Sequence, residues 1–453
     1  MRELKSVRFF PIFLVASVFA IETAIESILD ETVIGNLFDD VAFGAINLTE
    51  PYLTLAEFVS YLICVGGTAL IVRAHGEGDR EKMSNIFGHC ITACVVVGVL
   101  FFAVYVIFSG PLVNLVAGGT EELEFSRQVF IGECFYVMGY PLCAFLQTYV
   151  LYRGGYVICG VATGCCIALN PLLSYALAKT FGIGGVTVAT AIINAIEILL
   201  MILYIARKNH RISFRLHFDG GIAKKIFYLG LGESSIFLAV TIMEASVNAI
   251  AVRNYQTQGV VMAAIIINLL EIVMYVSEGI SEYETVALNE YIGRRDAEGI
   301  RKTVRKVICA AIVEGVGFSV IYFFAAPLFI NMFDIDDPVT AAIAVNAIRI
   351  VAIVPVVICM VRIVAIFYQY TRRIGRTVTL FLSAWGVMPA ICAYIFGAFS
   401  AEGIVAGIIL GIAFAIAMLC AYIKMLKKEP IWYFSLEAKE VINGGCLGGE
   451  END

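Results

Sequence analysis

Long apolar runs alternate along this chain with short polar connections. A helix needs about 20 apolar residues to cross a hydrocarbon layer about 30 Å thick. Twelve runs meet that length, near residues 9–35, 43–72, 84–108, 125–150, 155–178, 184–206, 225–252, 259–291, 304–333, 338–370, 374–398 and 402–425. Several are longer than the layer is thick, so tilt or extension into water is expected.

The connections carry independent information, because Lys and Arg accumulate in cytoplasmic loops. With the amino terminus inside, the inner segments hold Arg2, Lys5 and Arg8; Arg73, Arg80 and Lys82; Arg153; "RKNHRISFR" with Lys224 and Lys225; "RRDAEGIRKTVRK"; "RRIGR"; and the basic stretch from Lys424. The alternate connections "NLFDD", "AGGTEELE", "NYQTQG" and "DIDDP" are acidic or neutral. This alternation predicts an even number of spans with both termini cytoplasmic. The opening "MRELKSVRFFPIFLVASVFA" resembles a secretory signal, but acids follow it in place of a small-residue cleavage site, so a retained first helix is expected.

Composition agrees: 60% of the 453 residues are hydrophobic and 15% charged, against about 25% charged in soluble domains. No room remains for a large soluble domain. The net charge of -7 says little of partners when most of the surface faces lipid, and no basic stripe for nucleic acid is present. The 13 cysteines lie mostly inside apolar runs and are expected to pack as small apolar residues.

A repeat emerges at an offset of about 217 residues. "TALIVRAHGEGDREKMSNI" (68–86) aligns with "TVALNEYIGRRDAEGIRKT" (285–303), Gly76 over Gly293 and Asp79 over Asp296. "YRGG" near 152 and "GIGGVTVAT" (182–190) find counterparts in "TRRIG" near 371 and "FSAEGIVAG" (399–407). Two parallel halves of six spans explain it, an arrangement that secondary transporters use around a midplane substrate path. The expected division is an amino-terminal lobe, 1–218, a carboxy-terminal lobe, 219–430, and a tail, 431–453.

Acids interrupt the apolar runs. A charge near the bilayer centre costs from about 2.5 to more than 10 kcal/mol, so such groups face a cavity or a partner. Glu22, Glu26 and Asp30 occupy about 80° of one helix face, and Glu271, Glu278, Glu282 and Asn289 about 40° of another. Glu233 and Glu244 share a face of the seventh run, and the second run holds Glu50 and Glu57. Glu31, Glu50, Glu271 and Glu284 fit headgroup or helix-end positions equally well; Glu133, Glu197 and Glu314 stand alone and suggest local hydrogen bonds. Clustered carboxylates away from bulk water are stabilised by a proton or a cation, the chemistry of exchange. Arg349 and Arg362 fall on roughly opposite faces of the tenth run; either could counter a cavity acid, with interface placement or snorkelling at least as well supported, above all for Arg362. Four histidines, all at predicted cytoplasmic ends, and no G-x-x-x-x-G-K-[ST] loop argue against a metalloenzyme and against an ATP-driven pump.

"GGTALIVRAHGEGDREKMSNI", "DETVIGNL" (30–37) and "YIGRRD" resemble the second-, first- and eighth-helix elements of the multidrug and toxic compound extrusion (MATE) transporters. The resemblance implies an all-α integral membrane protein of about 12 transmembrane helices in two pseudo-symmetric six-helix lobes. It implies no enzyme and no cofactor, but an antiporter in the plasma (cell inner) membrane, exporting a cationic amphipathic small molecule against protons or sodium. Asp30 corresponds to the family's coupling carboxylate and Asn170, in "ALNPLLSYAL", to its fifth-helix Asn, with a sodium site at that pair as an expectation. Ser174 stands where many members carry a second Asp, so Glu22 and Glu26 are candidates to supply the missing charge. Asp30, Glu26, Glu22, Asn170, Glu57, Glu278, Glu282, Glu233 and Glu244 are the candidate ion-coupling and substrate residues, in a chain expected to act as a monomer in contact with lipid. A flippase for a lipid-linked precursor, and a channel or non-transporting sensor, are the alternatives.

Overall fold

The computed structural model describes residues 13, 29–30, 32–35, 37–38, 40–76, 79–153, 155–207, 216–294, 296–332, 338–370 and 373–428. The first predicted span falls almost wholly outside them, with Glu22 and Glu26. Its described end, at 29–30, 32–35 and 37, is helical and is called α1. Then follow α2 (Asp40–Gly76), α3 (Arg80–Ala117), α4 (Leu123–Tyr152), α5 (Tyr156–Phe181), α6 (Gly184–Ala206), α7 (Gly220–Val276), α8 (Glu278–Arg294) and α9 (Ala297–Met332). After these come α10 (Pro338–Val351), α11 (Pro355–Tyr370), α12 (Ile374–Phe381), α13 (Met388–Gly397) and α14 (Ala401–Lys428). Among the described residues ten helices are long and apolar enough to cross a membrane, or eleven if a bent pair counts as one span. That pair, Ala344–Val351 and Pro355–Tyr370, meets at 44°. The break falls at Pro355, which has no N–H to continue the ladder. A π-helical turn, Leu382–Val387, joins α12 to α13 and precedes Pro389, another helix-breaking residue in an apolar span.

α7 counts 57 residues, which would measure about 85 Å if straight. It is not straight. Glu244 and Glu271 hydrogen-bond through their side chains, and Glu282 faces Glu233. Side chains 27 residues apart can meet only if the chain doubles back between them, so Glu244 and Glu271 lie on two arms of this run. The run therefore accounts for two spans, Gly220–Tyr255 and Ala263–Thr285.

The repeat reappears in the backbone. Asp79 N–H bonds to Ala74 O at 3.0 Å and Asp296 N–H to Tyr291 O at 2.9 Å. Asp79 Oδ1 accepts from Lys82 N, and Asp296 Oδ1 from Gly299 N, both at 2.9 Å. Gly155 N–H to Val150 O at 2.9 Å is matched by Arg373 N–H to Tyr368 O at 2.8 Å, and Gly185 N–H to Gly182 O by Gly403 N–H to Ser400 O. Equivalent junctions in the two halves thus use the same bonds at an offset of 217 or 218.

α2 meets the first arm of α7 antiparallel along its full length. At one end Gly66 and Gly230 let the backbones touch, since a Cβ on either would collide with Ile226 O or Leu62 O. At the other end Asn248 Nδ2 donates to Asn47 O at 2.6 Å. The largest apolar core fills the space beside this pair, with Tyr105, Phe130, Met243, Val247 and Leu270 all buried within it. The described cysteines are all free.

Candidate functional site

Two groups of polar side chains lie among these apolar helices. The first surrounds Asp30 on α1. Ser174 Oγ donates to Asp30 Oδ1 at 2.8 Å, Asn170 Nδ2 to the same oxygen at 3.2 Å, and Thr190 Oγ1 to Oδ2 at 2.9 Å. Asn170 and Ser174 sit four residues apart on α5 and are fully buried, so one helix face presents both. Thr190 comes from α6. Gly182, with φ +72°, makes the turn that brings α6 back beside α5; glycine adopts that left-handed conformation without steric cost. The three donors are neutral, so the carboxylate is solvated without being cancelled. The same side chains carry four oxygen-bearing groups, a donor set suited to a hard cation such as sodium. Asp30 and Asn170 therefore meet, as their expected pairing requires. Ser174 takes a direct place at Asp30, and Thr190, which no sequence pattern marked, completes the shell.

The second group lies where α2 faces α7 and α8, and it has two centres. At the first, Thr54 Oγ1 contacts both Glu244 Oε2, at 3.0 Å, and Thr241 Oγ1, at 2.8 Å. Glu271 hydrogen-bonds to Glu244, a contact between two carboxyl groups that needs a shared proton. Glu57 faces Glu244 and accepts a hydrogen bond from Tyr140 on α4. Glu57, Glu244 and Glu271 are all buried. At the second centre, Arg362 on α11 ion-pairs with Glu278 at 3.3 Å and donates to Ser281 Oγ and Met274 O, each at 3.1 Å. Glu233 accepts from Gln369 Nε2 at 3.4 Å, and Glu282 faces Glu233, Glu278 and Arg362.

Several expectations change. Arg362 does not snorkel: it is 4% exposed, held by an acid and a carbonyl inside the protein. Arg349 lies instead with its guanidinium 5.9 Å from the Phe323 ring centre. Glu271 and Glu284 are buried inside the protein. Of the solitary acids, Glu133 accepts from Thr49 at 2.7 Å, and Glu197 and Glu314 take weak contacts from Cys143 and Cys359. Among the described residues no group of three or more His, Cys, Asp and Glu is arranged to hold a metal ion.

Comparison with known proteins adds relatives to this geometry. The MatE family model matches residues 15–176. The multidrug export protein MepA of Staphylococcus haemolyticus is 24% identical over 329 residues, covering 67% of this chain and 70% of the relative. The probable multidrug resistance protein NorM of Photorhabdus laumondii is 28% identical over 190 residues, 40% of this chain and 41% of the relative. The fold is shared with a multidrug resistance MATE family transporter of the MOP superfamily in its inward-facing conformation, at TM-score 0.75 and 17% identity over 90% of this chain and 99% of the other. It is shared too with a MOP superfamily transporter from Pyrococcus furiosus whose binding pocket has reverse polarity, at TM-score 0.77 and 16% identity over 92% and 96%.

Proposed function

We propose that this chain, a member of the MATE family of transporters, is a secondary active antiporter that exports cationic amphipathic small molecules in exchange for protons or sodium. The observation that carries the reading is Asp30: a carboxylate at the membrane-embedded end of α1, solvated by Asn170, Ser174 and Thr190, with no cation among these partners. Such a group takes a proton or sodium and releases it to a cationic substrate competing for the same charge. The relatives that export or resist multiple drugs support a small-molecule substrate. Alternating access would rock residues 1–218 against 219–430 across the α2–α7 contact, in a plasma-membrane monomer with both termini cytoplasmic.

Among the described residues, Arg362 is the one buried Arg or Lys, and Glu278 neutralises it. An anionic lipid-linked precursor would call for cavity Arg or Lys, so the acids at the two centres argue against a flippase. The test uses proteoliposomes loaded with a fluorescent organic cation under an imposed pH or sodium gradient. Gradient-driven flux that Asp30→Asn abolishes supports the proposal; equal flux through wild type and Asp30→Asn removes Asp30 from the mechanism.

A further inference from the structure

The two carboxylate centres on α7 and α8 are separated by the spacing of their acids along the chain. From Glu244 to Glu233 is eleven residues along one arm, and from Glu271 to Glu278 or Glu282 seven to eleven along the other. At 1.5 Å per residue the centres stand about 10 to 16 Å apart. They differ in how fully they are satisfied. At the first centre Glu57 Oε2, Glu244 Oε1 and Glu271 Oε1 are buried without a hydrogen-bond partner, and all three residues are more than nine-tenths buried. A proton shared between Glu244 and Glu271 meets at most one of these oxygens; leaving a buried oxygen unmet costs about 1–3 kcal/mol, more for a charged group, so the centre has room for a further donor. Besides the three acids, Glu50, Glu278, Thr54, Thr241, Tyr140 and Tyr275 face it, and none of these is basic. At the second centre Arg362 offsets one of the three charges of Glu233, Glu278 and Glu282, and Gln369 Oε1 is buried and unmet.

We propose that this interface binds an extended dication, a linear molecule of the diamine or polyamine class, with one ammonium at Glu57, Glu244 and Glu271 and the other at Glu233, Glu278 and Glu282. Ammonium N–H groups meet the unpartnered oxygens, and the apolar stretch between the centres lies along Tyr61 and Tyr275, which face acids of both centres and of the first centre respectively. Two linked charges bind more tightly than one because the second contact is intramolecular, and the gain disappears when the linker cannot span the sites. This inference rests on the cation-export reading above and narrows its substrate.

The experiment measures binding of α,ω-diaminoalkanes of graded length to the purified full-length protein, against monoamines of matched length. Diamine affinity is expected to peak where the nitrogens lie about 10 to 16 Å apart, about tenfold above the matched monoamine. Glu57→Gln, at one centre, and Glu282→Gln, at the partly exposed other, should each bring the two within about twofold while monoamine binding persists. The two variants alter different helices, and retained monoamine binding reports that each is folded. Monoamines and diamines that bind alike, with no length optimum, overturn the dication proposal and leave cation export standing. Binding of neither class sinks the cation reading itself.

Discussion

Ser174 and Thr190 hold opposite oxygens of Asp30, at 2.8 Å and 2.9 Å, from two different helices. The pair fixes the orientation of the carboxylate, and Asn170 adds a third bond to the oxygen that Ser174 already holds. A rotation of α6 against α5 would strip one oxygen and leave the other in place.

Thr190→Val keeps the shape of the side chain and removes its hydroxyl. A hydrogen bond to a charged group contributes about 1.5–3 kcal/mol, so ion-coupled flux in proteoliposomes should fall about tenfold or more. Asp30→Asn should abolish it. Unaltered flux in Thr190→Val would mean that Oδ2 needs no protein donor.

Arg362→Met removes the ion-pair partner of Glu278. Breaking a buried ion pair from one side costs about 3–5 kcal/mol, and the lower end applies because the Glu278 side chain is 18% exposed. The melting temperature in detergent should drop sharply, and adding Glu278→Gln should recover much of the loss. A double variant no more stable than the single one would show that Arg362 acts through Ser281 and Met274 O instead.

Gly66→Val and Gly230→Val place side chains where the α2 and α7 backbones touch. Forcing extra carbons into such a contact costs about 1–3 kcal/mol, and both helices must move apart. Each variant should melt lower and transport more slowly; wild-type transport would show that the halves function without this contact.

Asp79 and Asp296 cap α3 and α9 in repeat-equivalent positions. Replacing either by Ala should cost about 1 kcal/mol, and the double variant should lose about the sum, since distant sites add. Asp219 caps α7 in the same way, and backbone hydrogen bonds from Ile222 and Gly221 hold its carboxyl below the ordinary aspartate value of 3.8. A depressed value means that its contribution is complete above that pH and is lost as pH falls through the lowered value. A Asp219→Ala chain should therefore differ from wild type in melting temperature at neutral pH and converge with it in strong acid.

Much of this was legible in the residues. Apolar length placed the spans, and the repeat located junctions whose hydrogen bonds recur at the same offset. Asp30 was marked by spacing and resemblance and Asn170 by resemblance, whereas Ser174 read only as the place of a missing acid and not as the donor to Asp30 that it is. Thr190 was not marked, because one Thr in an apolar helix looks like any other until the fold brings α6 beside α1. Arg362 stayed open between countering an acid and snorkelling for a related reason: snorkelling depends on distance to water, which the position of a residue within a run does not reveal. Glu271 read equally well as a headgroup acid, because its partner Glu244 lies on the far side of a chain reversal. Local pattern records which face a side chain occupies, and only the tertiary arrangement says what that face meets.

The reversal within α7 also has a mechanical meaning. The carboxyl pair of Glu244 and Glu271 joins the two arms from inside the helix bundle. Glu244 and Glu271 thus tie together stretches of chain 27 residues apart, so a shift of one stretch against the other breaks that carboxyl pair.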